Sequence, residues 1–444
     1  MRLKKNMIEL PLLKVDDIIE GSIERIAFGG AGILRHKGFV VFVPFTAPGD
    51  IVTCQIKEVK KSFAKAIIIT IKKSGPHRID PPCPYFGTCG GCQIQHLDDI
   101  GQENYKLDAV KDAFLRIGHI QPKSISFIPA HMKWAYRRHI TLHLRPHKGT
   151  FIAGYIGIDN ETLIAIETCP IFNTKNDNVV HQLQEIVKHI PNPTTGEGRV
   201  IILKNQRNQY ILSFQFNEPF QIEKNIFQGI LQHYPLFTGI IVNVGKKEFI
   251  CGNPYSEIIF EKLTFRITPQ TFIQNHPEQS TNIYKKICSL LENKNSKKIL
   301  DLFCGFGITS LMLSELGHHV TGIEYNDDAI RFAKENAHSN KLHAQFIEGD
   351  VNRLLPKLTK EIKPEIILTN PPRTGMTKES IQTIMKAQPQ EIIYVSCMPA
   401  TLARDLAIIS ENYDIGECCV YDMFPQTAHV ETLVHCVKKA KTLY

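Results

Sequence analysis

The chain has 444 residues, of which 43% are hydrophobic and 22% are charged, and its formal net charge is +8. This composition is typical of a soluble globular protein, and the length is sufficient for several domains. No apolar run approaches the length of a membrane span, and the amino-terminal stretch MRLKKNMIEL has too short an apolar segment for a secretory signal. We therefore expect a cytoplasmic protein without a membrane partner.

The cysteines and the positive charge are both unevenly distributed. Without a secretory signal the 12 cysteines are expected to be reduced, so their clustering indicates a metal site or catalysis rather than disulfides. Residues 1–75 carry 13 Lys and Arg against 7 Asp and Glu, a surplus of 6 in a net charge of +8. Such a segment is typical of proteins that bind a phosphate backbone, although a solvated lysine-rich face explains the charge equally well.

Residues 1–74 predict a small β-barrel. Short β-rich runs alternate with turn signals, including a glycine-rich turn at 29–32 and the sequence VPFTAPGD at 43–50. About five strands in so short a segment are typical of an OB-type barrel, which often carries single-stranded nucleic acid. Barrels of this kind also serve as protein contacts, so the fold alone leaves the function open.

A group of cysteines follows the predicted barrel. Cys83, Cys89 and Cys92 have the spacing C-x5-C-x2-C, and Cys169, which precedes a proline, is the candidate for a fourth ligand. Four thiolates with a Cys-Pro pair favour an iron–sulfur cluster. Structural zinc is the alternative, but its usual arrangement is two short Cys-x-x-Cys pairs and only one is present.

The rest of the segment 75–265 is less informative. Residues 133–139, KWAYRRH, interleave aromatic and cationic side chains, as in strands that stack on bases and neutralise phosphates. A solvated basic face over an aromatic core explains this pattern equally well. A helix within 101–124 is expected, and it is a candidate to pack on the catalytic domain. Residues 200–260 show alternating strands and helices without a motif.

Residues 266–444 predict an α/β domain with a cofactor site. A strand at 298–302 leads through a tight loop at 303–307 into a helix at 308–316, and the next strand at 320–323 is followed by Glu324. An acidic residue at that position is suited to hydrogen-bonding ribose hydroxyls.

The glycine loop favours S-adenosylmethionine over a dinucleotide. Gly305 and Gly307 let the backbone approach a ligand, but there is no third glycine to admit a pyrophosphate. Asp301 leads the loop, as in methyltransferases, and Asp350 follows a third strand, where adenine is usually contacted.

A single thiol follows a later strand of the same domain. The apolar run at 392–395 predicts a buried strand, Cys397 comes directly after it, and Pro399 suits the first turn of a helix. Ligands of open α/β sheets bind at that edge, and helix amides favour the thiolate, which is the nucleophile. An inert core cysteine is the alternative.

Two motifs near this thiol allow different reactions. Asn370 begins an Asn-Pro-Pro sequence, which followed by an aromatic residue is typical of amino-group methylation, but here Arg373 follows. Segments 417–424 and 430–437 predict a closing antiparallel pair, so Glu431 is expected at the same edge of the sheet as Cys397.

The reaction that competes with amino-group methylation is methylation of C5 of uracil, and the two have different chemical requirements. C5 is a poor nucleophile until a thiolate adds to C6, and a base must later remove the C5 proton so that the thiol can leave. A cation at the developing enolate assists. Cys397, Glu431 and Arg373 match these three requirements, whereas amino-group methylation needs no cysteine.

The motifs DLFCGFGITSL, TNPPRTGM, YVSCMPATLARDL and FPQTAHVE together resemble the bacterial RNA (uracil-5-)-methyltransferases, and the first segment resembles a TRAM domain. The likeness spans nearly the whole chain, and its nearest branch acts on 23S ribosomal RNA. It implies a class I, Rossmann-like methyltransferase domain, a [4Fe–4S] cluster on the four cysteines, the nucleophile Cys397 and the base Glu431. The implied S-adenosylmethionine contacts are Gln274, Phe303, Glu324, Asp350 and Asn370, where the family usually has Asp in the last position.

The sequence therefore predicts an OB-like barrel at 1–74, an α+β iron–sulfur domain at 75–265 and an α/β methyltransferase domain at 266–444. We expect a monomer that methylates C5 of a uridine in RNA, with 23S ribosomal RNA favoured and transfer RNA possible. The alternatives are an amino-group methyltransferase and an RNA-binding, cluster-bearing protein with a vestigial methyltransferase fold.

Overall fold

The computed structural model describes residues 13–174, 177–191 and 196–440, so the stretch MRLKKNMIEL lies outside the described residues. By its internal contacts the chain divides into two units. Unit 1 contains the chain up to Ala109 together with Gln426–His429, and unit 2 contains Val110–Pro425 and the chain from Val430 onwards. No described helix is both long enough and apolar enough to cross a membrane.

Unit 1 contains a closed five-stranded barrel, as predicted. Its strands are β1 (Ile18–Ile26), β2 (Ala31–His36), β3 (Phe39–Pro44), β4 (Ile51–Val59) and β5 (Phe63–Lys73). They are paired in the order β1-β2-β3-β5-β4, and β1 also pairs with β4 to close the barrel. Alternate side chains such as Leu34, Val41 and Val52 fill the interior, which explains the alternating pattern of the sequence.

Three further elements follow the barrel and the cysteine segment. These are helix α1 (Asp99–Ala113), a π-helical turn at Phe114–Gly118 and strand β6 (Ser124–Ile128). Helix α1 and the π-helical turn fall largely within the helix predicted at 101–124, whereas β6 begins at the last residue of that range.

A seven-stranded sheet in unit 2 accounts for residues 139–252. Its elements are β7 (His139–His147), β8 (Thr150–Ile156), β9 (Leu163–Ala165), α2 (Val179–Lys188), β10 (Gly198–Lys204), β11 (Tyr210–Phe216), α3 (Lys224–His233), β12 (Phe237–Val244) and β13 (Lys247–Gly252). The strand order is β13-β12-β11-β10-β7-β8-β9, and a hairpin of β14 (Ser256–Phe260) and β15 (Leu263–Ile267) follows it.

The predicted α/β domain forms an eight-stranded sheet with helices between its strands. Its elements are α4 (Pro277–Leu291), β16 (Lys298–Leu302), α5 (Ile308–Glu315), β17 (His319–Glu324), α6 (Asp327–Ser339), β18 (Gln345–Glu348), α7 (Val351–Ile362), β19 (Ile366–Thr369), α8 (Lys378–Ala387), β20 (Glu391–Ser396), α9 (Pro399–Ile409), β21 (Tyr413–Tyr421) and β22 (Glu431–Lys438).

The order of this sheet is β18-β17-β16-β19-β20-β22-β21-β6. Strands β16 to β20 are parallel, whereas β22 runs antiparallel to β20 and β21. The chain winds outwards from β16 in both directions, so the strand order reverses between β16 and β19. Open α/β sheets bind ligands beyond the carboxyl ends of the strands at such a point.

The outermost strand of this sheet was not predicted. Strand β6 pairs in parallel with β21, with Ser124 opposite Glu417, although it lies far from the other strands in sequence. It is short and incompletely buried, so its sequence carries a weak strand signal. The π-helical turn before it ends at Gly118, where an added Cβ would lie 2.8 Å from the carbonyl oxygen of Ala403 in α9.

The glycine loop can be tested by a matched pair of substitutions. Gly307 and Gly317 have nearly equal positive φ angles, +84° and +86°. An added Cβ at Gly307 would lie 2.8 Å from the ring of Phe346, whereas at Gly317 it would meet nothing within 4 Å. We expect Gly317→Ala to lower the free energy of unfolding by about 1 kcal/mol, and Gly307→Ala by roughly 1–3 kcal/mol more. Urea unfolding measures both, and equal losses would show that Phe346 does not restrict the loop.

Candidate active site

The carboxyl ends of the parallel strands bring the predicted site residues to one edge of the sheet. Strand β22 is antiparallel to β20, with Ser396 paired to Thr432, so the first residue of β22 lies at the same edge as the residue after β20. The site residues that begin or end these strands, or follow them within two residues, are Phe303, Glu324, Asp350, Asn370, Cys397 and Glu431.

The carboxylate of Glu324 is fixed by backbone amides. It accepts hydrogen bonds from the N–H groups of Gly305 (3.2 Å), Tyr325 (2.8 Å) and Asn326 (2.9 Å). Its own carbonyl accepts from the N–H of Gly349, at 2.9 Å, which brings the end of β18 alongside. The glycine loop and the ends of β17 and β18 therefore form one connected surface.

The glycine loop leaves space for a ligand on one side. Phe303, Gly305 and Gly307 all have positive φ angles, of +62°, +55° and +84°. A Cβ added to Gly305 would meet no atom within 4 Å, so a ligand can approach the backbone there. The buried Asp301 accepts from the hydroxyls of Thr309 (2.7 Å) and Ser310 (2.6 Å), which ties β16 to the start of α5.

The remaining predicted cofactor residues lie beside this loop or cap a neighbouring helix. The N–H of Asn370 donates to the carbonyl of Leu302 at 3.3 Å. Gln274 lines a small cavity together with Phe306 and Ile308, which flank Gly307. The side chain of Asp350 caps helix α7. These positions fit a nucleoside-type ligand lying across the ends of β16, β17 and β18.

Cys397 and Glu431 interact electrostatically. Glu431 is buried, and the burial raises its pKa to about 8, although the guanidinium of Arg373 acts in the opposite direction. Burial and the charge of Glu431 raise the pKa of the Cys397 thiol, and Arg373 again acts in the opposite direction. The structure therefore brings together the three residues that were predicted to be catalytic.

A backbone hydrogen bond lowers the pKa of the Cys397 thiol, in the direction expected for amides at the start of a helix, but burial and the charge of Glu431 outweigh it, and the net pKa is raised above the ordinary thiol value. Cys397 does precede α9 and Glu431 was expected at the same edge of the sheet, but the sequence did not show that the carboxyl group of Glu431 would be buried. Burial and the nearby carboxyl group both make a negative charge on the Cys397 sulfur less favourable.

Helix α9 holds the exposed loop that carries Arg373. The carbonyl of Arg373 accepts from the hydroxyl of Thr401 at 3.1 Å. Arg404 donates to the carbonyls of Thr374 (3.1 Å) and Met376 (3.0 Å). Thr401 and Arg404 were not predicted from the sequence as site residues. Both lie one to two helical turns after Cys397, on the helix that begins beside the site.

Two other residues beside Glu431 were also missed. Burial raises the pKa of the Tyr284 hydroxyl to about 12, with Arg138 lowering it and Glu431 raising it further. Arg138 and Tyr284 line the same cavity as Gln274. Arg138 belongs to the basic segment 133–139, so this part of the predicted RNA-binding strand lies close to the candidate catalytic carboxyl group.

The structure does not support the predicted metal centre. Cys83, Cys89 and Cys92 are partly exposed and Cys169 is buried. Within residues 13–174, 177–191 and 196–440, no group of three or more His, Cys, Asp or Glu side chains is arranged to hold a metal ion.

Two family models match the chain. One, described as tRNA (Uracil-5-)-methyltransferase, matches residues 247–439, and the TRAM domain matches residues 17–69. An uncharacterized RNA methyltransferase of Protochlamydia amoebophila is 56% identical over 430 residues, which cover 96% of this chain and 99% of that protein. A relative of the same description from Bacillus cereus is 30% identical, with 96% of this chain and 97% of the relative covered.

A solved structure has a similar fold over nearly the whole chain. It is the Pyrococcus abyssi tRNA (uracil-54, C5)-methyltransferase in complex with S-adenosyl-L-homocysteine. The TM-score is 0.73 at 23% sequence identity, with 94% of this chain and 100% of that chain covered. The match supports the predicted combination of folds.

The raised pKa of Glu431 predicts a pH-dependent effect on stability. In the unfolded chain a glutamate titrates near its ordinary pKa of 4.5, whereas the folded value is about 8. The folded state therefore binds the proton more tightly, and its stability falls as the pH rises between these values, by roughly 1.4 kcal/mol per unit of pKa difference at most. Glu431→Gln removes this loss, so its free energy of unfolding relative to the wild type should rise between pH 5 and pH 8. Urea unfolding at several pH values measures it, and a constant difference would contradict a buried neutral carboxyl group.

Proposed function

We propose that this chain, which belongs to the tRNA (uracil-5-)-methyltransferase family of RNA methyltransferases, methylates C5 of a uridine in RNA with S-adenosylmethionine as the methyl donor. The observation that carries the proposal is the electrostatic contact of Cys397, Arg373 and Glu431 at the sheet edge that also holds the glycine loop. A protein that only binds RNA has no need for a nucleophile, a base and a cation in one place.

The cofactor residues fit S-adenosylmethionine. Glu324 is oriented by three backbone amides and suits the ribose hydroxyls, while the open side of Gly305 admits the ligand close to the backbone. Asp350, Asn370 and Gln274 complete the set that would hold it. When bound, S-adenosylmethionine would supply an electrophilic methyl group on its sulfonium sulfur, and breaking of that sulfur–methyl bond would leave the neutral thioether S-adenosylhomocysteine.

The residues of the chain then act in sequence. The Cys397 thiolate adds to C6 of the uracil, which makes C5 enolate-like and able to accept a methyl group. Arg373 stabilises the negative charge that develops on the ring. Glu431, in its ionised form, removes the C5 proton, the C6–sulfur bond breaks, and the thiolate leaves. One proton per methyl group remains on Glu431 and must be released before the next turnover.

Both titrating groups must lose their protons for this sequence to start. Because the pKa of Cys397 is raised and that of Glu431 is about 8, most of the free enzyme is protonated at neutral pH. Binding of the target base, which has to leave its stack to reach Cys397, excludes water from the pair and brings the ring towards Arg373.

Amino-group methylation is the rival reaction within enzymes. Only the Asn370-Pro371-Pro372 sequence favours it, and Arg373 occupies the position of the aromatic residue that would stack on the base. That reaction leaves Cys397 and Glu431 without a role. Asn370 retains hydrogen-bonding groups but lacks the negative charge of the family's usual Asp.

The RNA substrate proposed here is 23S ribosomal RNA, with transfer RNA as the alternative. The TRAM domain and the cysteine pattern favour the ribosomal branch by resemblance, whereas the Pyrococcus abyssi protein with the similar fold acts on transfer RNA. Mass spectrometry of nucleosides from both RNAs, in cells lacking the protein, distinguishes them, because only the true substrate loses 5-methyluridine.

Two substitutions test the catalytic roles. Cys397→Ala should abolish turnover while leaving the affinity for S-adenosylmethionine unchanged, because the nucleophile is not a cofactor contact. Glu431→Gln should instead trap a covalent RNA adduct, since the sulfur cannot leave until C5 loses its proton. Slow migration on a denaturing gel detects the adduct, and the double variant, which lacks the sulfur, is the control. Retained turnover of Cys397→Ala would remove it as the nucleophile.

The four-cysteine cluster stays a proposal that rests on spacing. The pattern of Cys83, Cys89, Cys92 and Cys169 supports a [4Fe–4S] cluster, with zinc as the alternative. We expect protein purified without oxygen to be brown and to contain iron and acid-labile sulfide, and Cys89→Ser to lose both. A colourless protein with stoichiometric zinc would contradict the cluster, and a metal-free protein would contradict both.

A further inference from the structure

The segment that precedes Glu431 belongs to the unit that contains the barrel. The chain leaves the eight-stranded sheet after β21 and returns to it at Glu431, and four residues of the connection, Gln426–His429, are part of unit 1. Gln426 has a φ angle of +71°, a left-handed conformation that is uncommon outside glycine and persists where the surroundings hold it. It is also buried, with an exposed fraction of 3%. The segment is thus tightly held.

Gln102, in helix α1, makes two hydrogen bonds with Gln426, one as donor and one as acceptor. The N–H of Gln426 donates to Oε1 of Gln102 at 3.0 Å, and Nε2 of Gln102 donates to Oε1 of Gln426 at 3.0 Å. The same Nε2 donates to the carbonyl of Leu97 at 3.0 Å, so Gln102 is itself fixed. The carbonyl of Gln426 accepts from the N–H of Ile94 at 3.2 Å.

Ala428 is held in the same way two residues later. Its N–H donates to Oε1 of Gln93 at 3.1 Å, and its carbonyl accepts from the hydroxyl of Tyr105 at 3.0 Å. The Tyr105 hydroxyl also accepts from the N–H of Gly29 at 3.1 Å, and the Ala428 side chain packs in an apolar cluster with Ile94. Both backbone groups of Gln426 and both of Ala428 therefore have partners within unit 1.

These bonds are close enough along the chain to control Glu431. Glu431 lies three positions after Ala428, and three residues span at most about 10 Å of extended chain. The side chain of Glu431 has to lie within reach of the C5 proton of a bound base, and a misplacement of about 1 Å is enough to reduce a rate by about 100-fold. A fixed Ala428 therefore restricts the backbone conformations of the two residues that lead to Glu431.

We propose that Gln102 and Tyr105 are positioning residues for the proton-removing step, and that they act by fixing the backbone that delivers Glu431. This inference rests on the proposed function. Loss of either contact should slow the removal of the C5 proton more than the formation of the bond between Cys397 and C6. The covalent enzyme–RNA adduct should then accumulate, as it should when Glu431 itself is replaced.

The experiment compares Gln102→Ala with Gln95→Ala in the full-length protein. Gln95 is a suitable control because it is also a buried glutamine of unit 1, and its Oε1 has no hydrogen-bond partner among the described residues. We expect Gln102→Ala to lower kcat by about 10- to 100-fold and to accumulate the adduct on a denaturing gel, with an unchanged Kd for S-adenosylmethionine. Gln95→Ala should keep the wild-type kcat per folded molecule.

A milder variant keeps the test decisive if Gln102→Ala does not fold. Tyr105→Phe removes only the hydroxyl and leaves the ring in its apolar cluster, so we expect the same adduct with a smaller loss of kcat. A wild-type kcat for the folded variants, or a loss of kcat without adduct, would overturn the inference. If the wild-type protein itself transfers no methyl group to uridine in RNA, the proposed function is contradicted, and the inference about Gln102 and Tyr105 loses its basis.

Discussion

The candidate chemistry depends on the pairing of two antiparallel strands. Because Ser396 in β20 pairs with Thr432 in β22, the thiol that follows one strand and the carboxyl group that begins the other lie at the same edge of the sheet. A slip of this register by one residue would turn the side chain of Glu431 to the opposite face and away from Cys397.

The same arrangement creates an electrostatic conflict in the free protein. Burial makes ionisation of the Glu431 carboxyl group less favourable, and burial together with the charge of Glu431 does the same for the Cys397 thiol. Arg373 opposes this effect, but it lies on an exposed loop where water weakens its field. In the proposed reaction, a base that covers the loop would strengthen this field when negative charge develops, so that substrate and enzyme would complete the site together.

The sequence predicted the parts of the fold that depend on local patterns. The strand at 298–302, the glycine loop and the helix after it were recognised because buried parallel strands are continuous apolar runs and the loop needs positive φ angles. Cys397 was also placed correctly at a strand end. The direction of its pKa shift was not predicted, because the charge that raises this pKa is that of Glu431, which lies on a strand that is adjacent in space only. The pairing of Gln102 with Gln426 likewise joins residues 324 positions apart and has no local signal.

Strand β6 determines which residues must remain together if the eight-stranded sheet is to be produced as a separate fragment. It is contributed from residues that precede the seven-stranded sheet, yet it covers the edge of β21 along five paired positions. A fragment that began at residue 266 would leave the backbone N–H and C=O groups of that edge unpaired next to the apolar side chains of Cys418 and Val420. Such an edge is a template for pairing with a second copy. Any division of this chain into working pieces must therefore keep residues 124–128 with the methyltransferase fold, which makes the domain discontinuous in sequence.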